Sequence, residues 1–297
     1  MPHKYSPVSA SLLLLFGSLA SAEDNTVYQH QIGIENIVAS DQAAAVTSDN
    51  TVNQEQDGIH NSAEAAQAEV SRSSIRQIQD GVANQAHSQQ QYGESNDVTI
   101  LQAGALNSSR SLQSVTRNSS LTTRQGGFAN RAEIDQMNGN FNQVQVTQIG
   151  TSNQSDITQV ISFHNRGFID QRGTEQQANL KQTGYGHFSA TVQDGMFNDS
   201  EISQSGAFQE IELLQSGFSN DAELSQGDNY NGISITQSGS FNHANVRQSG
   251  TFGLGGNHQS IVSQVGGLNS VGISQAGVSS TAIVNQLGSG NSVSLSQ

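Results

Sequence analysis

The sequence predicts an all-β chain, a β-solenoid of stacked strand-turn-strand-turn repeats with 22–23 residues per coil and about 11–12 coils. Three observations predict it: glutamines that recur at a fixed interval, strict alternation of residue type between them, and a long stretch free of proline.

The interval comes first, because a period of about 20–50 residues is the mark of a repeat architecture. Gln56, Gln79, Gln102, Gln125, Gln148 and Gln171 follow one another at steps of 23. Gln193, Gln215 and Gln237 continue at steps of 22, and Gln264 and Gln286 complete the series. A second series falls about halfway between them: Gln67, Gln90, Gln113, Gln136, Gln159, Gln182, Gln204, Gln226, Gln248, Gln275 and Gln297. Gln31 and Gln42 form one more pair, out of phase by a few residues.

Within each half-repeat every second residue is apolar, small or an amide. Asn242, Ala244, Val246 and Gln248 show the pattern, as do Asn142, Val144, Val146, Gln148 and Asn231, Ile233, Ile235, Gln237. Asn291, Val293, Leu295 and Gln297 show it again. Such alternation reads as a strand with one buried face, and no apolar stripe of helical period survives across the repeats. The stretch x-Gly-x-x-Asn after each Gln supplies turn chemistry, with Gly150, Gly206, Gly217, Gly239, Gly250, Gly266, Gly277 and Gly288 as the turn glycines. Asn220 and Asn269 fall in the same place as the asparagines above. Stacked at ~4.8 Å, twelve coils make a rod about 58 Å long. Its thin core admits inward amides only if they are hydrogen-bonded. A glutamine above a glutamine donates to one neighbour and accepts from the other, so these residues are expected to form continuous ladders.

Composition agrees. Only 33% of residues are hydrophobic and the formal net charge is −14, values that elsewhere signal disorder. Disordered chains are rich in proline, however, and Pro2 and Pro7 are the only two here. Both lie in residues 1–22, where His3 and Lys4, the run SLLLLFGSLA and Ala20-Ser21-Ala22 read as a secretory signal peptide cleaved before Glu23. Residues 23–50 read as an irregular leader or degraded first repeat, and 51–297 as the repeat solenoid. With no cysteine, an exported chain gains nothing from disulfides. The acidic balance excludes a nucleic-acid role, which needs a basic footprint. Three stretches break the grammar: DQAAAVTSDN lacks the turn glycine, TFGLGGNHQ carries an insertion, and GHFSATVQDG puts Phe188, Ala190 and Val192 on the outward phase. Bulged or mobile turns are expected at each.

The pattern Gln-x-Gly-x-x-Asn-x-Ala-x-x-x-Gln, met as Gln237, Gly239, Asn242, Ala244 and Gln248, resembles the curlin repeat, and the likeness runs over residues 51 to 297. Curlins are the secreted subunits of curli, the extracellular amyloid fibres of bacterial biofilms. The resemblance implies a self-assembling structural subunit or nucleator, exported across both membranes of a Gram-negative cell and placed in a cell-surface fibre. It implies polymerisation with itself and other curlin subunits, with outer-membrane secretion and accessory proteins as further partners. The chain departs from the family in having about eleven clear repeats where the familiar subunits have about five. The alternative is a monomeric β-solenoid adhesin.

No motif for catalysis or cofactor binding accompanies the repeats, so a non-enzyme without cofactor or metal is expected. His164 and His187 each follow a phased Gln by five, so they are expected to sit one above the other as surface turn histidines; a metal site needs a third ligand. His30, His60, His87, His243 and His258 suggest no common site. Asp57 and Asp80 read as stacked charges on the solvated face. Arg110, Arg117, Arg124 and Arg131 fall at sevens and read as an exposed basic patch. Phe197, Phe208, Phe241 and Phe252 each follow a Gln by four and are expected to pack against the next turn. Finally, the phase is still intact at Gln297, so both ends of the stack are expected to act as templates for a further copy.

Overall fold

A computed structural model describes residues 24–42, 48–250 and 255–297; the expected signal peptide, at 1–22, lies outside them. The strands run in order β1 (Thr26–Ile34), β2 (Ile37–Asp41), β3 (Thr51–Ile59), β4 (Ser62–Ser71), β5 (Ser74–Val82) and β6 (Gln85–Glu94). Then come β7 (Asp97–Ala105), β8 (Ser108–Arg117), β9 (Ser120–Phe128), β10 (Arg131–Asn140), β11 (Gln143–Thr151) and β12 (Gln154–Phe163). They continue as β13 (Arg166–Thr174), β14 (Gln177–Tyr185), β15 (Phe188–Met196), β16 (Asp199–Ala207), β17 (Glu210–Phe218) and β18 (Asp221–Asn229). The last are β19 (Gly232–Ser240), β20 (His243–Ser249), β21 (Gln259–Gly267), β22 (Ser270–Ala276), β23 (Thr281–Ser289) and β24 (Ser292–Ser296).

Odd strands form one 12-stranded parallel sheet and even strands another. Each coil contributes one strand to each, so the protein is the β-solenoid that the repeat predicts. Equivalent residues stand side by side: Val144 pairs with Gly167, Gln148 with Gln171 and Gly150 with Gly173. A parallel strand needs a long return path, and here the return path is the strand of the opposite sheet.

The core lies between the sheets. Val144 and Val146 face inward from β11 and Ile157 from β12, all essentially inaccessible, and the pattern repeats with Ile211, Leu213, Ala222 and Leu224 three coils on. Intervening residues alternate outward, as the burial of β11 shows. The even sheet puts small residues, Ala132, Ser155, Ala178 and Ser200, at the first inward position. In most coils the odd sheet there carries bulkier residues, Ile75, Leu121, Val144 and Ile211 among them. Gly167, Ser189, Ser260 and Ala282 are exceptions, and the even sheet turns to valine at Val271 and Val293. Large against small keeps a two-layer core filled.

The 23-to-22 step has a local cause. The even strands β4, β6, β8, β10 and β12 hold one extra residue toward their ends, where Glu69, Tyr92, Val115, Asn138 and Ile161 take φ of 52°, 53°, 55°, 54° and 49°. In β14 that residue is gone, and the pairing of β12 with β14 shifts register between Gln159 and Ser162. This corrects one expectation: GHFSATVQDG forms a regular β15, paired without interruption on both sides, and the irregularity lies a coil earlier. Outward Phe188, Ala190 and Val192 are compensated by Ser189 and Thr191, which turn inward. Of the other two stretches, residues 43–47 and 251–254 lie outside the described residues; Gly256 and Asn257 bridge to neighbouring coils. Gln31 and Gln42 are also in register, donating to Gln56 at 2.8 Å and to Gln67 at 2.7 Å. Their offset in sequence does not persist in space.

Candidate functional site: the amide columns and the arcs

Each phased glutamine closes the inward row of its strand, where the two sheets meet an arc. Its Nε2 carries two hydrogens, and at most positions both are used. Gln148 donates to Gln171 Oε1 at 2.9 Å in the next coil and to the backbone carbonyl of Arg131, in the opposite sheet, at 2.9 Å. Its own Oε1 accepts from Gln125 at 2.8 Å. The odd series runs on unbroken: Gln56 to Gln79 at 2.6 Å, Gln79 to Gln102 and Gln102 to Gln125 at 2.8 Å. It continues through Gln171, Gln193, Gln215, Gln237, Gln264 and Gln286, each bond within 2.8–2.9 Å. The even series passes from Gln204 to Gln226, Gln248, Gln275 and Gln297 at 2.9–3.1 Å. Every bond in both series donates toward the later coil. The amides therefore tie coil to coil throughout and sheet to sheet at most positions; Gln136 and Gln159 donate only along the column.

Asparagines close the arcs. Asn130 Nδ2 reaches back to Gly126 O at 3.1 Å in its own arc and up to Gly150 O at 3.1 Å in the next coil. Its Oδ1 accepts from the Asn153 amide at 3.1 Å. Asn220, Asn242, Asn269 and Asn291 stack likewise, each Nδ2 within 2.9–3.1 Å of the Oδ1 before it. Asn142 and Asn231 stand in the other column, before odd strands; Asn142 reaches Ser162 O at 2.8 Å, and Asn231 accepts from the His258 amide at 3.0 Å.

The sequence reading did not assign this bridging role to Asn61, Asn84, Asn107, Asn130 and Asn153, although each lies five residues after an odd-series Gln. It also missed Gln54 and Gln77, a short third column: Gln29 donates to Gln54 at 3.0 Å and Gln54 to Gln77 at 2.8 Å. They occupy an inward position that later coils give to aliphatics, and Gln77 ends the column on Ser88 Oγ at 2.9 Å.

Of the turn glycines, Gly150, Gly206, Gly217, Gly239, Gly266, Gly277 and Gly288 have φ between 100° and 129°, a region closed to L side chains; Gly250 lies outside it. In the stacked arcs a Cβ on Gly150 would run into the carbonyl oxygen of Gly173. At the turn-glycine column of the odd strands only hydrogen fits where one arc lies on another; after the even strands Asp228 takes the corresponding place.

Rings line the arcs. Phe141, His164, Tyr185, Phe208 and Tyr230 follow one another at centroid distances of 4.9, 5.3, 5.2 and 5.2 Å along one edge. On the other edge Phe218 touches Phe197 at 5.4 Å and Phe241 at 5.3 Å. Phe197, Phe208 and Phe241 thus divide between two edges; Phe252 is outside the described residues.

Two charge expectations need correction. His164 and His187 do not stack. The register shift after Gln159 sets His187 in line with Asn165, whose Oδ1 accepts its amide at 2.8 Å, and His187 is buried where a surface residue was expected. Nor do the four arginines make a basic patch. Arg110 is held by Glu133 at 2.7 Å and Asp135 at 3.0 Å, and Arg131 by Glu133 at 2.8 Å. Arg124 points from the opposite sheet, and Arg117 ends β8 near Glu94. Their spacing of seven has no meaning on a strand, where faces alternate every residue.

Asp57 and Asp80 pair in register on the exposed side of the odd sheet. On the even sheet, burial pushes the Asp135 carboxyl up despite the Arg110 guanidinium beside it. Burial and the neighbouring Glu133 and Asp135 raise Asp156; burial and Asp221 raise Asp199. Among the described residues no group of three or more His, Asp or Glu is placed to hold a metal ion.

These features define a class: a parallel β-solenoid whose identical coils are joined by side-chain amides, with arcs that only glycine and asparagine fit well. A family model of the curlin associated repeat matches residues 116–150, from the end of β8 to the turn glycine of β11. Over those residues the chain therefore carries a curlin associated repeat, and the same grammar of phased Gln, turn Gly and arc Asn extends through the other coils. None of the curated proteins matches it.

Proposed function

We propose that the protein is a self-assembling structural subunit, or nucleator, of an extracellular curli-like fibre, made with a signal peptide over residues 1–22 and exported to the cell surface. Its partners are further copies of itself and other curlin subunits, with outer-membrane secretion and accessory proteins acting on the way; its role is structural and not enzymatic. One observation carries this reading. All Gln-to-Gln bonds point the same way, so each coil offers Oε1 acceptors on one side and Nε2 donors on the other. A coil is then a template for the next, whether that coil belongs to the same chain or to another copy. The residues that do the stacking are the phased glutamines, the arc asparagines and the turn glycines.

Sedimentation and fibre diffraction of the purified protein test the proposal. Fibres with a meridional repeat near 4.7–4.8 Å are expected. A monomer that persists at high concentration and gives no such reflection would leave the chain as a surface adhesin.

A further inference from the structure

The column that closes the arcs before odd strands carries Asn142 and Asn165, but then His187, Gln209, Asn231 and His258. His187 imitates an asparagine. Its Nε2 meets Thr183 O, four residues back, at 3.0 Å, as Asn61 Nδ2 meets Asp57 O at 3.3 Å. A carbonyl oxygen only accepts, so Nε2 holds the ring hydrogen and Nδ1 is a bare acceptor. That Nδ1 is buried without a partner, and so is Oε1 of Gln209 in the following coil. The column is interrupted where the imidazole sits.

His258 supplies the contrast. It is equally buried, but its Nδ1 faces Ser280 Oγ at 2.8 Å and its Nε2 faces Ser249 O at 3.2 Å. A hydroxyl accepts as readily as it donates, so His258 can carry hydrogens on both nitrogens with both satisfied. His187 has no such acceptor assigned to Nδ1. Nor does a carboxylate face it: Asn165 lies below and Gln209 above. The titratable groups on the packed strands and arcs, His164, Arg166, Asp170, Arg172, Lys181, Tyr185, Asp194, Asp199, Glu201, Glu210 and Glu212, all stand on the arc surface or the outer faces.

We propose that His187 is an acid-sensitive latch in the rod: a second ring proton breaks the arc that joins β14 to β15 and opens the stack there, while the coil closed by His258 holds. Burial holds the His187 imidazole below its ordinary range, outweighing the backbone carbonyls of Thr183 and Gly206 that favour the charged ring, which agrees with a neutral, latched ring. For a histidine lowered in this way, the stability it contributes is complete above the unfolded value near 6.5 and is lost as pH falls below it toward the folded value.

Hydrogen exchange on the full chain at pH 7 and pH 5, corrected for intrinsic rates, tests the latch. The wild type and His258→Asn should lose protection over residues 183–196 at the lower pH, and His187→Asn should keep it. Equal protection at both pH values in the wild type, or the same loss in His187→Asn, would overturn the proposal. So would a gain of protection in acid, which would mean that Gln209 Oε1 takes the new hydrogen. Should the variant fail to fold, ring titration of the wild type by NMR decides: His187 is expected to stay neutral to lower pH than the exposed histidines, and titration together with them would sink the idea.

Discussion

A single glutamine side chain holds three neighbours at once. Gln237 accepts from Gln215 at 2.9 Å and donates to Gln264 and to Asp221 O, each at 2.9 Å. Replacing it with alanine leaves those groups buried and unpaired, at roughly 1–3 kcal/mol for each one stranded. Arg247 projects from the exposed side of β20, and its change to serine should fall within about 0.5 kcal/mol of neutral. Denaturant unfolding of the two variants checks the contrast; equal midpoints would remove the columns from the account of stability. Asp199 is predicted to behave in the opposite sense. Its carboxyl is raised in the folded state by burial and by Asp221, so the folded chain takes up its proton first. Stability should rise as pH falls through that raised value and level off below the unfolded value near 3.9. Asp199→Asn should therefore be more stable than the wild type at pH 7 and should lose this part of the acid gain. A melting-temperature series across pH reads both effects.

At the scale of the strand and its arc, backbone geometry decides. Gly150 has φ of 129° and lies under the carbonyl of Gly173, whereas nothing lies within 4 Å of a Cβ on Gly126, one residue before the corresponding turn glycine. Gly150→Ala should cost on the order of 1–3 kcal/mol through strain and collision. Gly126→Ala should be neutral or stabilise by about 0.4–1 kcal/mol, since it narrows only the unfolded ensemble. Thermal melts of the pair distinguish these outcomes. Gly126 stands directly before Gly127, the turn glycine of its own arc, and phase distinguishes such positions: the turn glycine falls two residues after the phased Gln, as Gly127 does after Gln125 and Gly150 after Gln148. Phase revealed the strands, the Gln columns and the turns because each depends on a residue type repeated at one spacing. It could not place His187, because a one-residue deletion inside an arc changes the register of everything after it. Gln54 and Gln77 were hidden for another reason: their amides are satisfied across the core, Gln54 by Ala39 O and Gln77 by Glu64 O and Ser88 Oγ, contacts between sheets that no strand pattern encodes.

The whole molecule is a one-dimensional stack, so its stability should be close to a sum over coils and the contacts between neighbours. Deleting residues 143–165 removes β11 and β12 and joins Asn142 to Arg166, which leaves β9 to pair with β13. Those strands carry Leu121 and Gly167 at the first inward place and Gln125 and Gln171 at the last, the same grammar as the pairs they replace. The shortened chain should fold, lose one coil's share of stability and keep its assembly behaviour. Deleting only residues 143–153 is predicted to do far more damage, although it removes fewer residues. Every later strand would then change sheets, stacking Ser155 of β12 on Leu121 of β9, and the division between large and small inward residues would be reversed along the boundary. The Gln column would survive the change, since Gln159 would fall on Gln125, but the core above it would be mismatched. Comparing the two deletions by circular dichroism and denaturant midpoint separates the contributions. If the half-coil deletion were as stable as the full-coil deletion, the amide columns alone would specify the stack, and the assignment of large residues to one sheet and small to the other would have no energetic weight.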